Sequence, residues 1–180
     1  VYTKDMPGLL YKLSGAVTIS GFNVIEAKVS TLKNGMALDT LWVQDLNNSI
    51  LDEIYHFPKL ENIMHEVLTQ NFPLKKEINF EKEKNIKKNL FNINNKVFVD
   101  NNMSKKHTIL EISTFDRLGL IYDLTKKLYK LDFKISSAKI LTLGKGINGI
   151  FYIQDLKNSK LESNHKINKL KTQIMSLLKN

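Results

Sequence analysis

The chain carries one sequence pattern twice, at an offset of about 111 residues. Asp5-Met-Pro-Gly-Leu-Leu-Tyr-Lys-Leu returns as Asp116-Arg-Leu-Gly-Leu-Ile-Tyr-Asp-Leu, and Gln44-Asp-Leu-Asn-Asn-Ser returns as Gln154-Asp-Leu-Lys-Asn-Ser. Solenoid units measure roughly 20–50 residues, so this period is too long for one. The pattern therefore predicts a small domain that has been duplicated, with one copy in each half of the 180-residue chain.

Composition limits the class of protein. Hydrophobic residues make up 42% of the chain, which suits folded cores and is too high for general disorder. No apolar run approaches the ~18 residues of a membrane span and no signal peptide opens the chain, so we expect no membrane partner. The absence of cysteine excludes disulfides and thiolate metal sites and fits a cytoplasmic location. Because the chain starts at Val1, in the tail of a strand, we expect a fragment of a larger protein.

The net charge of +9 invites a nucleic-acid interpretation. Of the 27 basic residues, however, only Arg117 is an arginine, and the forked donors of arginine are preferred for recognising bases and phosphates. The densest basic stretch, residues 75–88, is interrupted by three glutamates. We therefore expect no nucleic-acid partner.

Periodicity predicts a strand, a helix, two strands and a second helix in each copy. The first helices carry apolar stripes, which are Leu9, Leu10, Leu13 and Val17 in copy one and Leu120, Ile121, Leu124 and Leu128 in copy two. Gly21 supplies a left-handed helix stop in copy one, where copy two has Asp132. The two strands that follow alternate with period two and meet at a hairpin turn, Asn34-Gly35 in copy one.

These elements predict an α+β protein of two tandem ferredoxin-like βαββαβ domains, each with an antiparallel sheet and helices on one face. Residues 1–70 form the first domain, with a truncated first strand, and residues 96–101 are its closing strand. Residues 71–95, rich in lysine, glutamate and asparagine, are interpreted as a linker or insertion. Residues 102–180 form the second domain, for which the sequence shows no closing strand.

Motifs for catalysis and metal binding are weak. The four histidines are scattered, and the chain has neither a two-histidine helix motif nor a Gly-x-Ser-x-Gly elbow. Gly144-Lys-Gly-Ile-Asn-Gly is similar to a phosphate loop, but it connects two strands and is interpreted as a hairpin turn. We predict no catalytic residue, no cofactor and no metal site in this chain.

The repeated Asp-x-x-Gly turn, Asp5 to Gly8 and Asp116 to Gly119, is the best candidate for a site. It joins a strand to a helix start, where free backbone N–H groups favour an anion and glycine lets a ligand approach closely. Asp5 then balances a ligand ammonium, which suits an amino acid. The alternative is that these residues only shape the corner, with the aspartate as a helix cap. The residues alone favour neither interpretation.

Longer motifs resemble a known family. Residues 5–9, Asp-x-Pro-Gly-Leu, followed by Gly21-Phe-Asn23-Val, resemble an ACT domain, a small-molecule sensing module. More specific strings are Asn34-Gly-Met-Ala-Leu-Asp-Thr-Leu-Trp-Val-Gln-Asp, Val99-Asp-Asn-Asn-Met-Ser and Ile135-Ser-Ser-Ala-Lys-Ile. Together they resemble the C-terminal tandem ACT region of the bifunctional uridylyltransferase/uridylyl-removing enzymes that modify the PII nitrogen-signalling protein. The resemblance covers almost the whole chain apart from residues 71–95.

The resemblance implies a regulatory pair that senses glutamine or another small amino acid. In that family the parent enzyme has a nucleotidyltransferase domain and a hydrolase domain, both metal-dependent. Mg²⁺, the PII protein and those catalytic domains are therefore implied for the parent. Low glutamine permits transfer of UMP from UTP to PII, and high glutamine favours its removal. The alternative is a freestanding ACT-repeat binding protein with no attached enzyme.

The resemblance also implies a set of ligand-binding residues. The ligand turn of the family maps onto Asp5, Gly8 and Leu9, with Asn23 at the start of the following strand, and onto Asp116, Gly119 and Leu120 in copy two. Leu118 replaces the usual proline, and Lys134 stands opposite Asn23. We therefore expect copy one to keep the better ligand turn, and Gly8→Asp to abolish binding while leaving the fold intact.

Each predicted sheet also has an apolar second face, formed by Leu38 and Trp42 in copy one and by Ile150 and Tyr152 in copy two. Such a face predicts packing against another ACT sheet or against a catalytic domain of the parent. The alternative is a local surface patch.

Overall fold

The helices and strands follow the order that the repeat predicts, with one additional helix between the copies. The structure, a computed structural model, describes residues 1–45, 53–69, 72–84 and 94–179, with side chains described except at 53–56 and 80–84. In chain order the elements are β1 (Tyr2–Lys4), α1 (Leu9–Ile19), β2 (Phe22–Thr31), β3 (Met36–Asp45), α2 (Glu53–Thr69), α3 (Leu74–Lys84), β4 (Lys96–Asp100), β5 (Thr108–Phe115), α4 (Leu120–Lys130), β6 (Phe133–Leu143), β7 (Gly146–Asp155) and α5 (Asn164–Leu178).

The first helix of each copy lies between two residues in the left-handed conformation. Gly8 precedes α1 with φ +79°, and Gly119 precedes α4 with φ +69°. After the helices the chain turns at Gly21, with φ +90°, and at Asp132, with φ +61°. Aspartate tolerates this region better than most residues, so Asp132 takes the conformation that glycine supplies in copy one. The helix stop predicted at Gly21 is present, and copy two has a left-handed residue at the same place although it lacks the glycine.

Seven antiparallel strands form one sheet in the order β1-β3-β2-β6-β7-β5-β4. Strands β2 and β6 pair at the centre, so the sheet of copy one continues directly into the sheet of copy two. Each of them also forms a hairpin with the strand that follows it. The α+β class with two tandem ferredoxin-like domains is confirmed, and the two sheets meet edge to edge.

A local twofold axis relates the two copies. Where β2 meets β6, Lys28 lies opposite Lys139, its own counterpart in the repeat. Between α1 and α4, the equivalent residues Ser14 and Thr125, 111 positions apart, bring their hydroxyl oxygens within 3.5 Å. Equivalent residues that face each other lie on the axis. The axis therefore passes between the two first helices and between the two second strands.

Both copies contribute to the main hydrophobic core. One cluster of buried side chains includes Leu10 and Val17 of α1, Leu128 of α4 and Phe151 of β7. It also contains inward-facing residues of β2 and β6, such as Ala27. The copies therefore bury apolar surface against each other as well as within themselves, which favours their association in this arrangement.

Strand β4 pairs with copy two, which corrects the prediction that residues 96–101 close the sheet of copy one. Val97 lies opposite Ile112 of β5, and Val99 lies opposite Leu110. The alternating valines face the shared core, where α5 packs over β4. Strand β4 therefore completes the four-stranded sheet β6-β7-β5-β4 and supplies the closing strand that does not follow α5 in the sequence.

Part of the segment interpreted as a linker or insertion is helical, over Leu74–Lys84, which fits an insertion and not an unstructured linker. This helix, α3, packs against α1. Its Leu74 and Ile78 are buried in a second, smaller cluster that includes Tyr122 of α4. Because these contacts join α3 to helices of both copies, α3 is an integral part of the fold. Residues 71 and 85–93 of the predicted linker lie outside the described residues.

The face of the sheet opposite the helices carries exposed apolar side chains. Leu38 and Trp42 of β3 are 47% and 40% exposed, and Ile150 of β7 is 37% exposed. Lys28 Nζ lies 4.8 Å from the centre of the Trp42 ring, so the lysine of the chain itself contacts part of this surface. Packing of this face against another domain stays a prediction.

Candidate functional site

The two Asp-x-x-Gly turns open their helices without a side-chain cap. The Leu9 N–H donates to the Met6 carbonyl over 3.1 Å, and the Leu120 N–H donates to the Arg117 carbonyl over 3.0 Å. The N-cap residues of the two helices are glycines, Gly8 and Gly119, which have no side chain to cap the helix start. Asp5 and Asp116 therefore do not occupy the N-cap position, and first-turn N–H groups are left without an intrahelical partner.

A cleft lies between the turn of copy one and the second strand of copy two. We call it the first cleft; residues 5–11 form one wall, and residues 133–135 at the start of β6 form the other. Ala37 and Asp39 of β3 line its floor, and Thr125 and Tyr129 of α4 also contact it. Its cavity volume is about 100 Å³. Both copies therefore build this cleft together.

A β-bulge shapes the strand start in each copy. The pairing register shifts once after Val24 in β2 and once after Ile135 at the matching place in β6. A bulge bends its strand and redirects the neighbouring side chains. Asn23 and Lys134 immediately precede these positions. The two equivalent residues therefore occupy the bent ends of β2 and β6, each beside the turn of the opposite copy.

The twofold axis relates the first cleft to the place where the turn of copy two meets the start of β2, and we call this place the second cleft. There Asn23 Nδ2 donates to Asp116 Oδ2 over 2.9 Å. The sequence predicts Asn23 as a companion of Asp5 and Gly8, but the structure places it beside the turn of the other copy. Each cleft thus combines the turn of one copy with the strand start of the other.

The equivalent residues in the first cleft, Asp5 and Lys134, each bond within their own copy. Asp5 Oδ2 accepts from Thr31 Oγ1 over 2.8 Å. Lys134 Nζ donates to Asn158 Oδ1 over 3.0 Å. The first cleft is therefore open between its two walls, whereas a hydrogen bond bridges the second. The two departures from the family pattern also fall in different clefts, with Lys134 in the first and Leu118 in the turn of the second.

Asp39, on the floor of the first cleft, is not among the residues predicted from the sequence. It is 1% exposed, and within the described chain neither carboxylate oxygen has a hydrogen-bond partner. Burial raises the pKa of Asp39 to about 6, and the nearby Asp5 carboxylate adds to this rise. The Ser30 backbone N–H and the N-terminal ammonium act in the opposite direction and lower the pKa. The sequence does carry a signal, because Asp39 alternates with Ala37 and Leu41 on the inward side of a strand, where a charge is costly.

Asp116 has a similar environment in the second cleft. Its Oδ1 atom and the Thr142 hydroxyl are buried and lack a hydrogen-bond partner among the described residues. Burial raises the pKa of Asp116 to about 6, while the hydrogen bond from Asn23 and the neighbouring Arg117 lower it. In copy one the equivalent threonine, Thr31, bonds the equivalent aspartate. In copy two the aspartate instead bonds to Asn23 of the other copy.

The other predicted site residues offer backbone rather than side-chain groups. Leu9 and Leu120 are buried apolar residues. A Cβ atom at Gly8 would lie 2.4 Å from Tyr11 Cε1 and 3.0 Å from Tyr129 Cδ2. Any side chain at Gly8 must therefore displace the Tyr11 ring and crowd the Tyr129 ring. That Gly8→Asp leaves the fold intact stays a prediction.

The described residues show no clustered metal ligands. No group of three or more His, Asp or Glu side chains in them could hold a metal ion. None of the described helices is long and apolar enough to cross a membrane. The chemistry of the clefts therefore depends on single carboxylates, on Lys134 and on the backbone groups of two helix starts.

Comparisons with known proteins point to ACT domains and to one group of enzymes. The family described as ACR9-like, ACT-like domain matches residues 96–180, a range that begins with β4. Relatives named bifunctional uridylyltransferase/uridylyl-removing enzyme match most of the chain. That of Gluconobacter oxydans is 31% identical over 180 residues, 99% of this chain. That of Rhodospirillum rubrum is 33% identical over 162 residues, 89% of the chain, and that of Azospirillum brasilense is 31% identical over 180 residues, 99% of the chain.

The chain is much shorter than these relatives. It covers 19% of the Gluconobacter and Azospirillum proteins and 17% of the Rhodospirillum protein. It therefore spans about a fifth of their length.

Proposed function

We propose that this chain, a tandem ACT pair homologous to part of the bifunctional uridylyltransferase/uridylyl-removing enzymes, binds a free amino acid in its first cleft and regulates an attached enzyme. Glutamine is the proposed ligand. One observation carries the proposal: the open cleft combines a helix start from one copy with a strand start from the other, around a buried carboxylate without a partner.

The charges of the first cleft suit a ligand that carries both signs. The start of α1, with its free N–H groups and positive dipole end, favours a carboxylate. Asp5 and Asp39 line the same cleft and favour a cationic group. A free amino acid has an α-carboxylate and an α-ammonium on adjacent atoms, so it can meet both requirements at once.

The size of the cleft favours a small ligand over a nucleotide. Pockets for drug-sized ligands measure roughly 300–1,000 Å³. The first cleft, at about 100 Å³, is below that range but has room for several waters or for a small polar group. A free amino acid is therefore the class of metabolite that fits best.

A ligand in the first cleft would act on the relation between the two copies. It touches the turn of copy one and the strand start of copy two, so its affinity depends on how the copies pack. Such a ligand favours one packing by no more than its difference in affinity for the two. In the proposed cytoplasmic parent enzyme, low glutamine would permit UMP transfer from UTP to PII, and high glutamine would favour UMP removal. The Mg²⁺ for that chemistry would belong to the catalytic domains of the parent.

The substitution Gly8→Ala tests the ligand site. A methyl group at Gly8 displaces the ring of Tyr11 and crowds the ring of Tyr129, both of which line the first cleft. We expect titration calorimetry with the twenty amino acids to detect glutamine binding to the wild-type chain and no binding to the variant. Equal affinity of both proteins would place the ligand elsewhere, and a wild-type chain that binds no amino acid would contradict the proposal.

Gly144→Ala is the matched control. Gly144 also has a positive φ, +60°, so alanine there strains the backbone in the same way. A Cβ at Gly144 meets no atom within 4 Å. We expect this variant to bind glutamine like the wild type, with circular dichroism showing that both variants are folded.

A further inference from the structure

The carboxylate of Asp39 is a charge that the fold does not require. It lies on the inward face of β3 and is 1% exposed. The Ser30 backbone N–H lies near it, but neither carboxylate oxygen has a hydrogen-bond partner among the described residues. A buried carboxylate without a partner destabilises a folded protein. An uncharged residue of similar size would therefore serve the fold better at this position.

The other copy shows that the sheet forms without this carboxylate. Val29 pairs with Asp39 across β2 and β3, and the equivalent pair across β6 and β7 is Ile140 and Gly149. A Cβ at Gly149 would lie 2.7 Å from Phe151 Cε2. Copy two therefore has neither a carboxylate at this position nor space for one without moving an aromatic ring.

Among the described side chains that line the first cleft, no cation bonds to the Asp39 carboxylate. The other ionisable side chains that line the cleft are Asp5, Tyr11, Tyr129 and Lys134. Lys134 Nζ bonds to Asn158, and the N-terminal ammonium donates to the main-chain oxygen of Asp39 over 2.8 Å rather than to its carboxylate. The Asp5 carboxylate adds a second negative charge, so the floor of the cleft favours a cation from outside the chain.

We infer that Asp39 accepts the α-ammonium of the amino acid in the first cleft and makes this cleft selective for ligands that carry one. The inference rests on the proposed function, because it assigns a role within the same cleft. The second cleft has Gly149 at the equivalent position, so it has no such carboxylate to select for an α-ammonium. Asp5 is less suited to the role because it is exposed to solvent, where an ion pair with a ligand contributes less, and its Oδ2 atom also accepts from Thr31.

Titration calorimetry with two ligands tests the inference. L-glutamine and glutaramic acid, which is glutamine without its amino group, are titrated into the wild-type chain and into Asp39→Asn. We expect the substitution to weaken glutamine binding about tenfold or more, since a charge-assisted hydrogen bond is lost. Affinity for glutaramic acid should change by less than about twofold, because that ligand has no ammonium to lose.

Glu26→Gln is the control for the loss of one negative charge. Glu26 lies on β2 outside the lining of the first cleft, beside Lys28. We expect the Glu26→Gln variant to bind L-glutamine and glutaramic acid with wild-type affinity. Asp39→Asn keeps the shape of the side chain and removes a buried charge, so we expect it to be folded.

The pH dependence of glutamine binding is a second measurement. Because the ammonium pairs with the ionised carboxylate, wild-type affinity should fall as the pH is lowered through about 6, and Asp39→Asn should lack this component. If Asp39→Asn binds glutamine within twofold of the wild-type affinity, the role of Asp39 is overturned but the proposed function is not. A wild-type chain that binds no amino acid overturns the proposed function as well.

Discussion

Two carboxyl groups, Asp39 and Asp116, determine the electrostatics of the clefts at the scale of single residues. Burial raises the pKa of each to about 6. An aspartate in an unfolded chain titrates near pH ~4. The folded chain therefore holds these protons more tightly than the unfolded chain does. As the pH rises from about 4 to about 6, the unfolded chain loses these protons while the folded chain still holds them, so the free energy of unfolding falls.

Asp39→Asn should change this pH dependence. We expect the wild-type free energy of unfolding from urea titrations to fall as the pH rises from about 4 to about 6, and to fall less in the variant. Above pH ~6 the variant should be more stable by on the order of 2 kcal/mol, because it has no charge to bury. Asp116 titrates in both proteins and accounts for the fall that persists. Identical pH profiles for the two proteins would show that Asp39 is not ionised in the folded state.

The residues of the turns could be predicted from the sequence, but their partners could not. The repeat aligns Asn23 with Lys134, and sequence order groups Asn23 with the turn of its own copy. Which turn it contacts depends on the pairing of β2 with β6, which brings Asn23 to Asp116. Asp39 was detectable as a charge at an inward strand position. Its lack of a partner depends on side chains from distant segments, which no local pattern shows.

At the scale of elements, those with a counterpart in the other copy were predictable because each copy supports the interpretation of the other. Helix α3 has no counterpart, and its only inward apolar residues with described burial are Leu74 and Ile78. Two such residues in a charged segment give little helical periodicity. Strand β4 was recognisable from its alternating valines. Its place beside β5 depends on long-range pairing that the alternation does not specify.

Ile78→Ala tests whether α3 is part of the fold. Ile78 is 0% exposed and belongs to the same cluster as Ala16 of α1 and Tyr122 of α4. Truncating a buried isoleucine leaves a cavity, so we expect the free energy of unfolding to fall by about 2–4 kcal/mol. Lys75→Ala, at an exposed position of the same helix, should change it by less than about 0.5 kcal/mol. Equal effects of the two substitutions in urea unfolding would mean that α3 does not pack against the repeats in solution.

At the scale of the whole molecule, the duplication produces one sheet, a shared core and two clefts around a local twofold axis. The sequence predicts two domains, but their joining through β2 and β6 was not predictable because the strands of either copy could also pair with another molecule. This joining makes the clefts composite. It also makes the clefts unequal, since Asp39 and Lys134 belong to the first cleft and the Asn23–Asp116 hydrogen bond belongs to the second.

The most direct test is to map glutamine binding residue by residue with ¹⁵N–¹H NMR spectra of the isotope-labelled chain. If the ligand occupies the first cleft, the largest shifts should appear at the amides of Gly8 and Leu9 in copy one and of Lys134 and Ile135 in copy two, and all four should saturate with one affinity. Shifts confined to a single copy, shifts centred on distant residues, or no shifts at all would contradict an amino-acid site built by both repeats.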